Sequence, residues 1–326
     1  MPDNGIVYHY CSLETFKSII ENKCLWLCDV QKSNDSKECL VLPEKICELA
    51  KQNNLRDKCP PAQRPLLDRI FHFLMNKPIA VYTVCFTSKR DDLNQWRGYA
   101  ADGAGLCIGF RRKFFQAMKP ATYRTLKYRP VIYSEVRLNR TAVSFLGKIE
   151  KLIQKFVDNG WVKDDIEAQL SSNIFLHDVW RCSPEFKKSS FREESERRII
   201  LAPDTHITDY RSVKLQKNSV AVSLDTSIRH QFSLYENVFS LSDLKYRTTR
   251  GTLQGYYELS FDAIADDLIT EIIIGPKCPL TEEDVFLFLA ANQLRRQIKR
   301  DDPLDVSRSV FPKDLLNVCT SALSYR

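Results

Sequence analysis

The sequence predicts an α+β fold, one mixed domain over residues 1–326, and three observations carry that expectation. Apolar runs rich in β-branched and aromatic residues recur at 6–11, 24–28, 79–87, 105–110 and 269–275, and they read as strands. Helical stripes stand between some of them, the longest at 141–158. The two kinds of segment do not alternate strictly, which argues against a doubly wound parallel sheet.

In chain order, Ile6–Cys11 is the first strand, and Ser12 is placed to cap a helix over 13–22 with Leu13, Phe16, Ile19 and Ile20 on one face. A second strand, Cys24–Cys28, leads into the polar loop Gln31–Lys37, where Asn34-Asp35 reads first as a turn former. Helices follow at about 38–54 and 64–76, separated by Cys59-Pro60-Pro61. Ile79–Thr87 reads as a buried strand, Asp92–Ala100 as a short helix and Gly105–Phe110 as another strand. Leu146, Ile149, Leu152, Ile153, Phe156 and Val157 form one helical stripe, which 161–180 extends. No low-complexity linker flanks this stretch, so 139–185 is taken as a helical insertion within the domain. Strands dominate again from 191 to 275, and a helix at 281–298 and a strand near 305–311 finish the chain.

Composition narrows the class. No run of about 18 uninterrupted apolar residues exists, and Met-Pro-Asp-Asn-Gly is not a charged-then-apolar leader. A cytoplasmic protein without a membrane partner is the expectation. The 11 cysteines are odd in number and irregularly spaced, which points to reduced thiols rather than a disulfide framework. Cys24 and Cys28 lack a second pair at zinc-site spacing, so no metal is expected.

The sharpest chemical signal is Glu194-Ser195-Glu196. On a strand, Glu194, Glu196 and Arg198 would share a face, with neighbours about 7 Å apart. Two carboxylates so placed suit chemistry at a glycosidic carbon: one stabilises a cationic sugar-like transition state and the other orients or deprotonates the acceptor. Arg198 could hold one of them ionised. The plainer reading is an exposed charged run. Elsewhere, His9 lies between Tyr8 and Tyr10, and Gln95, Trp96 and Tyr99 offer an amide and a stacking surface, although histidine and tryptophan at such places are more often core. Gly103-Ala104-Gly105 lacks the context of a phosphate loop.

The formal net charge is +7, and the basic residues cluster, notably at Arg111-Arg112-Lys113. Around Arg124, Lys127 and Arg129 they interleave with Tyr123, Tyr128 and Tyr133, as in single-strand binders. An anionic partner is therefore expected, either a dinucleotide or a nucleic-acid backbone. The competing reading is a solvated face.

Certain blocks keep a fixed order along the chain: Tyr-His-Tyr-Cys-Ser (8–12), Leu-Trp-Leu (25–27) with Asn34-Asp35, and Cys-Phe-Thr-Ser (85–88) with Trp-Arg-Gly-Tyr-Ala (96–100). Phe191…Glu194-Ser195-Glu196…Arg198 and Ile-Ile-Ile-Gly-Pro-Lys (272–277) continue the series. This ordered set resembles a bacterial family of uncharacterised domains, domain-of-unknown-function family 2971, from about 6 to 311 apart from 139–185. That family is in turn distantly similar to the ADP-ribosyltransferases. The resemblance implies their split sheet, NAD as co-substrate, and transfer of ADP-ribose to an acceptor in a toxin or phage-defence role. An antitoxin or defence-system partner would follow. By the match Glu196 is catalytic and Glu194 orients the acceptor. His9, with Tyr10 and Ser12, parallels the ribose-contacting histidine motif, with Cys11 where threonine is usual. Tyr82, Gln95, Trp96, Tyr99 and Arg198 complete the expected dinucleotide site. Nucleic acid is the preferred acceptor, ahead of protein. The alternatives are an NAD hydrolase and a non-catalytic nucleic-acid-binding or sensor module.

Overall fold

Strand β1 (Ile6–Cys11) shows how the sheet sorts its residues. Val7 and Cys11 pack into the main core, while Tyr8 and Tyr10 join Trp96, Cys107 and Ile273 in a smaller cluster, as the period of two requires. Ser12 caps α1 (Leu13–Asn22), accepting the Thr15 N–H at 3.3 Å, and Phe16, Ile19 and Ile20 are buried. The computed structural model describes residues 5–30, 38–76, 80–118, 126–158, 174–202, 239–249, 251–294 and 316–324. Their architecture is α+β around a mixed open sheet.

The strands are β2 (Cys24–Asp29), β3 (Tyr82–Thr87), β4 (Leu106–Arg111), β5 (Leu126–Pro130), β6 (Glu196–Leu201), β7 (Ser240–Leu241), β8 (Lys245–Thr249), β9 (Thr252–Ser260), β10 (Ile269–Ile274) and β11 (Asn317–Thr320). Their order is β11-β10-β4-β1-β3-β2-β9-β7, with β8 also on β9 and the pair β6-β5 also on β3. The β10–β11 pair is parallel and the other named pairs are antiparallel. Strand β3 is the branch point. One edge pairs with β6 along its whole length, from Tyr82↔Leu201 to Thr87↔Glu196. Its other edge is divided: Thr87 meets Tyr8 of β1, while Thr83 and Tyr82 meet Cys28 and Asp29 of β2. Strands β1 and β2 therefore diverge along β3.

A helical layer carries a second core. It comprises α2 (Val41–Gln52), α4 (Arg64–Met75), α7 (Glu135–Asp158) and α8 (Ile174–Cys182), with the short α3 (Leu55–Lys58) between the first two. Leu138, Ala142, Phe145, Leu146 and Ile149 of α7 are buried against Leu42 and Ile46 of α2, Leu67 and Ile70 of α4, and Leu176 and Val179 of α8. The stretch expected as an insertion thus shares its core with helices from the first quarter of the chain. Helices α2 and α4 are amphipathic too, and each apolar stripe must be covered by another. Val30, Val81, Trp180 and Ile200 join this layer to the sheet.

The remaining helices are α5 (Leu93–Tyr99), α6 (Arg112–Ala117), α9 (Ala265–Leu268) and α10 (Glu282–Ala291). Boundaries differ from expectation in places. The expected helix at 38–54 opens with a 3-10 turn, Glu38–Leu40, and among the described residues of 79–87 the strand covers Tyr82–Thr87. The helix expected over 281–298 ends earlier, at Ala291, with Asn292 as its C-cap and Gln293 turning left-handed at φ 59°. Residues 295–298, the segment expected as a strand near 305–311, the loop 31–37 and residues 159–173 lie outside the described residues. No helix among the described residues is long and apolar enough to cross a membrane. The glycines of the 103–105 turn and of the Ile-Ile-Ile-Gly block have a packing reason. A Cβ on Gly105 would stand 2.1 Å from the Cys11 carbonyl oxygen, and one on Gly275 would stand 2.3 Å from that of Gly103.

Candidate active site

Strand β6 begins at Glu196, two residues later than a shared face for Glu194, Glu196 and Arg198 requires. Ser189–Glu194 is a 3-10 turn, and Ser195 adopts a left-handed conformation at φ 48°, ψ 44°. That conformation is unfavourable for a residue with a side chain and needs holding in place. The Ser88 N–H donates to the Ser195 carbonyl at 3.3 Å, and the Thr87 hydroxyl donates to the Glu194 carbonyl at 2.7 Å. The Glu196 N–H donates to the Tyr133 hydroxyl oxygen at 3.1 Å. Glu194 is therefore off the strand, yet its carboxylate and that of Glu196 line the same cavity. Lys187 joins them, its Nζ donating to Glu194 Oε2 and, at 3.3 Å, to Glu196 Oε2.

Arg198, two residues along β6, does share a face with Glu196. Its Nε and Nη2 donate to the two Glu196 oxygens at 2.8 and 2.7 Å, and Nη1 donates to the Pro184 carbonyl at 2.8 Å. Burial pushes the Glu196 carboxyl up, but the Arg198 charge and fork, with Lys187 behind them, outweigh it and hold its pKa at about 2. Glu196 is thus a fixed, ionised carboxylate. Lys187 is positioned by backbone pairing: Ile132 bridges Phe186, and the Lys187 N–H donates to the Ile132 carbonyl at 3.2 Å. Its ammonium sits 4.8 Å from the centre of the Phe191 ring, a cation–π contact.

These groups line a cavity of about 460 Å³ at the place where β1 parts from β3, together with His9, Cys85, Gln95 and Tyr99. His9 bridges the gap between the strands. Its Nδ1 lies 2.9 Å from the Cys85 carbonyl oxygen, and its ring packs 5.8 Å from that of Phe86. A carbonyl only accepts, so Nδ1 carries the proton. Burial lowers the His9 pKa, and the neutral ring then has an acceptor at Nε2. Helix α5 supplies the opposite wall. Asp92 caps it, accepting from the Asn94 and Gln95 N–H groups at 3.0 and 3.2 Å. One turn on, the Tyr99 hydroxyl donates to Glu194 Oε1 at 3.1 Å. Burial, reinforced by the Glu194 charge, raises the Tyr99 pKa.

The other residues expected here have structural positions. Tyr10 borders the cavity, but its hydroxyl is used by the loop before α5, 2.8 Å from the Arg90 carbonyl and accepting from the Asp92 N–H at 3.1 Å. Ser12 is the cap of α1 and does not line the cavity. Trp96 is fully buried, donates to Asp91 at 2.7 Å and meets the Tyr10 ring edge-on, so it presents no stacking surface. Tyr82 packs edge-to-face against Tyr257 in the core, away from the cavity wall.

The basic residues do not form one surface. Arg111, Arg112 and Lys113 line a separate groove with Arg90. Lys127 is ion-paired with Glu185, and Arg129 is exposed on β5. Arg124 lies outside the described residues. Among the described residues no group of three or more His, Cys, Asp and Glu side chains converges as a metal site would.

Lys187, Cys85, Phe191 and Tyr133 were not legible as members of this site. Lys187-Lys188 reads as a surface basic pair, and the one signal against that is its place seven and nine residues before two glutamates. Residues 95–199 match the model of a family described as a protein of unknown function (DUF2971). The matched segment begins on α5 and ends in β6, and it contains Gln95, Tyr99, Lys187, Glu194, Glu196 and Arg198 of the cavity. No curated protein and no solved structure gave a match.

Proposed function

We propose that the cavity takes NAD by its nicotinamide–ribose end, cleaves the bond between the two, and passes ADP-ribose to an acceptor. One observation carries the reading: two carboxylates, an imidazole, an amide and a phenol converge on a single cavity, and buried cations fix the carboxylates in place. A volume of about 460 Å³ suits one end of a dinucleotide, with the remainder extending outward.

As the bond breaks, nicotinamide leaves as a neutral molecule with the bonding electron pair, and the ribose carbon carries positive charge. Glu196 is already ionised and immobile, so its charge stabilises that carbon without reorganisation. The Glu196 carboxylate lines the cavity as an acceptor for a ribose hydroxyl, with Arg198, Lys187 and the Cys85 thiol as its protein partners. His9 Nε2 is a second acceptor for ribose. Glu194 suits the acceptor side. Its side chain is 20% exposed against 9% for Glu196, so an incoming hydroxyl can reach it. The hydroxyl oxygen would bond to the ribose carbon and its proton would pass to Glu194. With water as the acceptor the bond cleavage is the same and gives free ADP-ribose, but water is small enough to reach the ribose carbon without Glu194 to orient it, and its proton passes to solvent.

The test is release of free nicotinamide from NAD, followed by chromatography. The parent protein is expected to release it, and Glu196→Gln to do so at least about a hundredfold more slowly with its circular dichroism unchanged. Glu194→Gln is expected to lower transfer more than hydrolysis. No release by the parent, or a Glu196→Gln rate within a few-fold of it, would remove the reading.

A further inference from the structure

We propose that the groove between α6 and β10 holds the phosphate backbone of a nucleic acid and presents that chain to the neighbouring cavity. The groove has a volume of about 620 Å³. Arg111 ends β4, and Arg112, Lys113 and Gln116 follow on α6; Arg90 and Asn317 form the other side. Four cationic side chains therefore line it, and among the described lining residues the carboxylate is Glu271. That carboxylate is buried and engaged, with Arg90 Nη2 at 2.9 Å and the Tyr8 hydroxyl donating at 2.9 Å. The groove is thus rich in charged and amide donors and poor in acceptors, which is the chemistry that receives phosphate oxygens. A guanidinium has five N–H donors, so one that already has a protein partner can still donate to a phosphate oxygen.

Position ties the groove to the cavity. Tyr8 lines the cavity, and its hydroxyl reaches Glu271, which lines the groove, so one side chain spans the wall between them. Among the described residues the two spaces share no lining residue. Cations spread over β4, α6 and the loop before α5 suit a track of successive phosphates. A single diphosphate is typically cradled instead by convergent backbone N–H groups. Calling the bound chain an acceptor rests on the NAD reading; the binding itself does not.

The experiment measures binding. A labelled single-stranded oligonucleotide is titrated by fluorescence anisotropy across a salt series, and NAD is titrated separately. Lys113 and Gln116 are exposed, so Lys113→Glu with Gln116→Glu alters the groove at little risk to the fold, and an unchanged Tm confirms it. The expected result is oligonucleotide affinity at least about tenfold weaker and a log–log salt slope shallower by about 0.7 for each lost phosphate contact. NAD affinity and acceptor-free nicotinamide release should be unchanged. An oligonucleotide that fails to bind the parent, or binds parent and variant alike, overturns the proposal. A loss confined to NAD affinity also overturns it and gives the groove to the dinucleotide. Should oligonucleotide binding behave as expected while NAD is never cleaved, the groove stands and the NAD reading falls.

Discussion

With 1% of its surface exposed, Arg198 carries a full charge into the interior at β6, and its partners are Glu196 and the Pro184 carbonyl. Burying an ion costs several kcal/mol unless its partners are well placed, and removing one partner leaves the other charge uncompensated. Arg198→Met should therefore cost about 3–5 kcal/mol in urea unfolding. The same groups set an acid response. Glu196 is held at about 2 in the fold against an ordinary 4.5, so its contribution is complete above 4.5 and is lost as pH falls towards 2. His9 is lowered from an ordinary 6.5 and stays neutral in the fold, so the unfolded chain takes up its proton first, and that contribution is lost as pH falls below 6.5. The urea midpoint should accordingly decline below about pH 6.5 and more steeply below about 4.5. A Glu196→Gln midpoint with the same steep acid limb would contradict this assignment.

At the scale of elements, close backbone approach rather than chemistry accounts for the glycines at 105 and 275. The Gly275 N–H donates to the Gly105 carbonyl at 3.0 Å, and the Lys277 N–H donates to the Gly103 carbonyl at 2.9 Å. This docks the end of β10 on the turn before β4. A methyl group on Gly275 would collide with backbone, which cannot rotate aside as a side chain can. Gly275→Ala should cost about 1–3 kcal/mol in chemical denaturation, with Gly98→Ala, where nothing lies within 4 Å of the added carbon, as the neutral control. Equal stability of the two variants would show that the junction yields. Helix α5 is held from the far end of the chain as well. Asp91 accepts from Trp96 Nε1 at 2.7 Å, from the Ser321 hydroxyl at 2.8 Å and from the Ala322 N–H at 2.9 Å.

For the molecule as a whole, the sheet core and the helical core meet through Val30, Val81, Trp180 and Ile200. Ile149 is fully buried in the helical core, far along the sequence from the cavity residues of β1 and β3. Ile149→Ala should cost about 2–5 kcal/mol, and below its transition it should leave the nicotinamide-release rate unchanged. Because the two cores are joined, unfolding followed by far-ultraviolet circular dichroism and by tryptophan fluorescence should coincide. Separate transitions would mean that the helical layer melts on its own.

The α+β class, the first strand and its capped helix, the amphipathic helices and a polar pocket drawn from blocks that contain Glu194, Glu196, His9, Gln95 and Tyr99 were legible from the sequence. Each depends on local signals: side-chain period, a capping hydroxyl, or ionisable groups set in apolar runs. The sequence alone also marked Arg198 as the group able to keep a carboxylate ionised, since residues two apart on a strand share a face. Tertiary structure decided the rest. Trp96 and Tyr82 have the chemistry to stack on a ligand, but the strand face and helix side they occupy turn them into core. Lys187 looks like a surface cation until the Ile132–Phe186 bridge carries it between two glutamates. The left-handed turn at Ser195 breaks the expected strand and still delivers both carboxylates to one place. The cavity exists because β1, β3, α5 and the segment from Lys187 to Arg198 converge around it. Such a gap arises from contacts between segments distant in the chain, and no local period or motif encodes it.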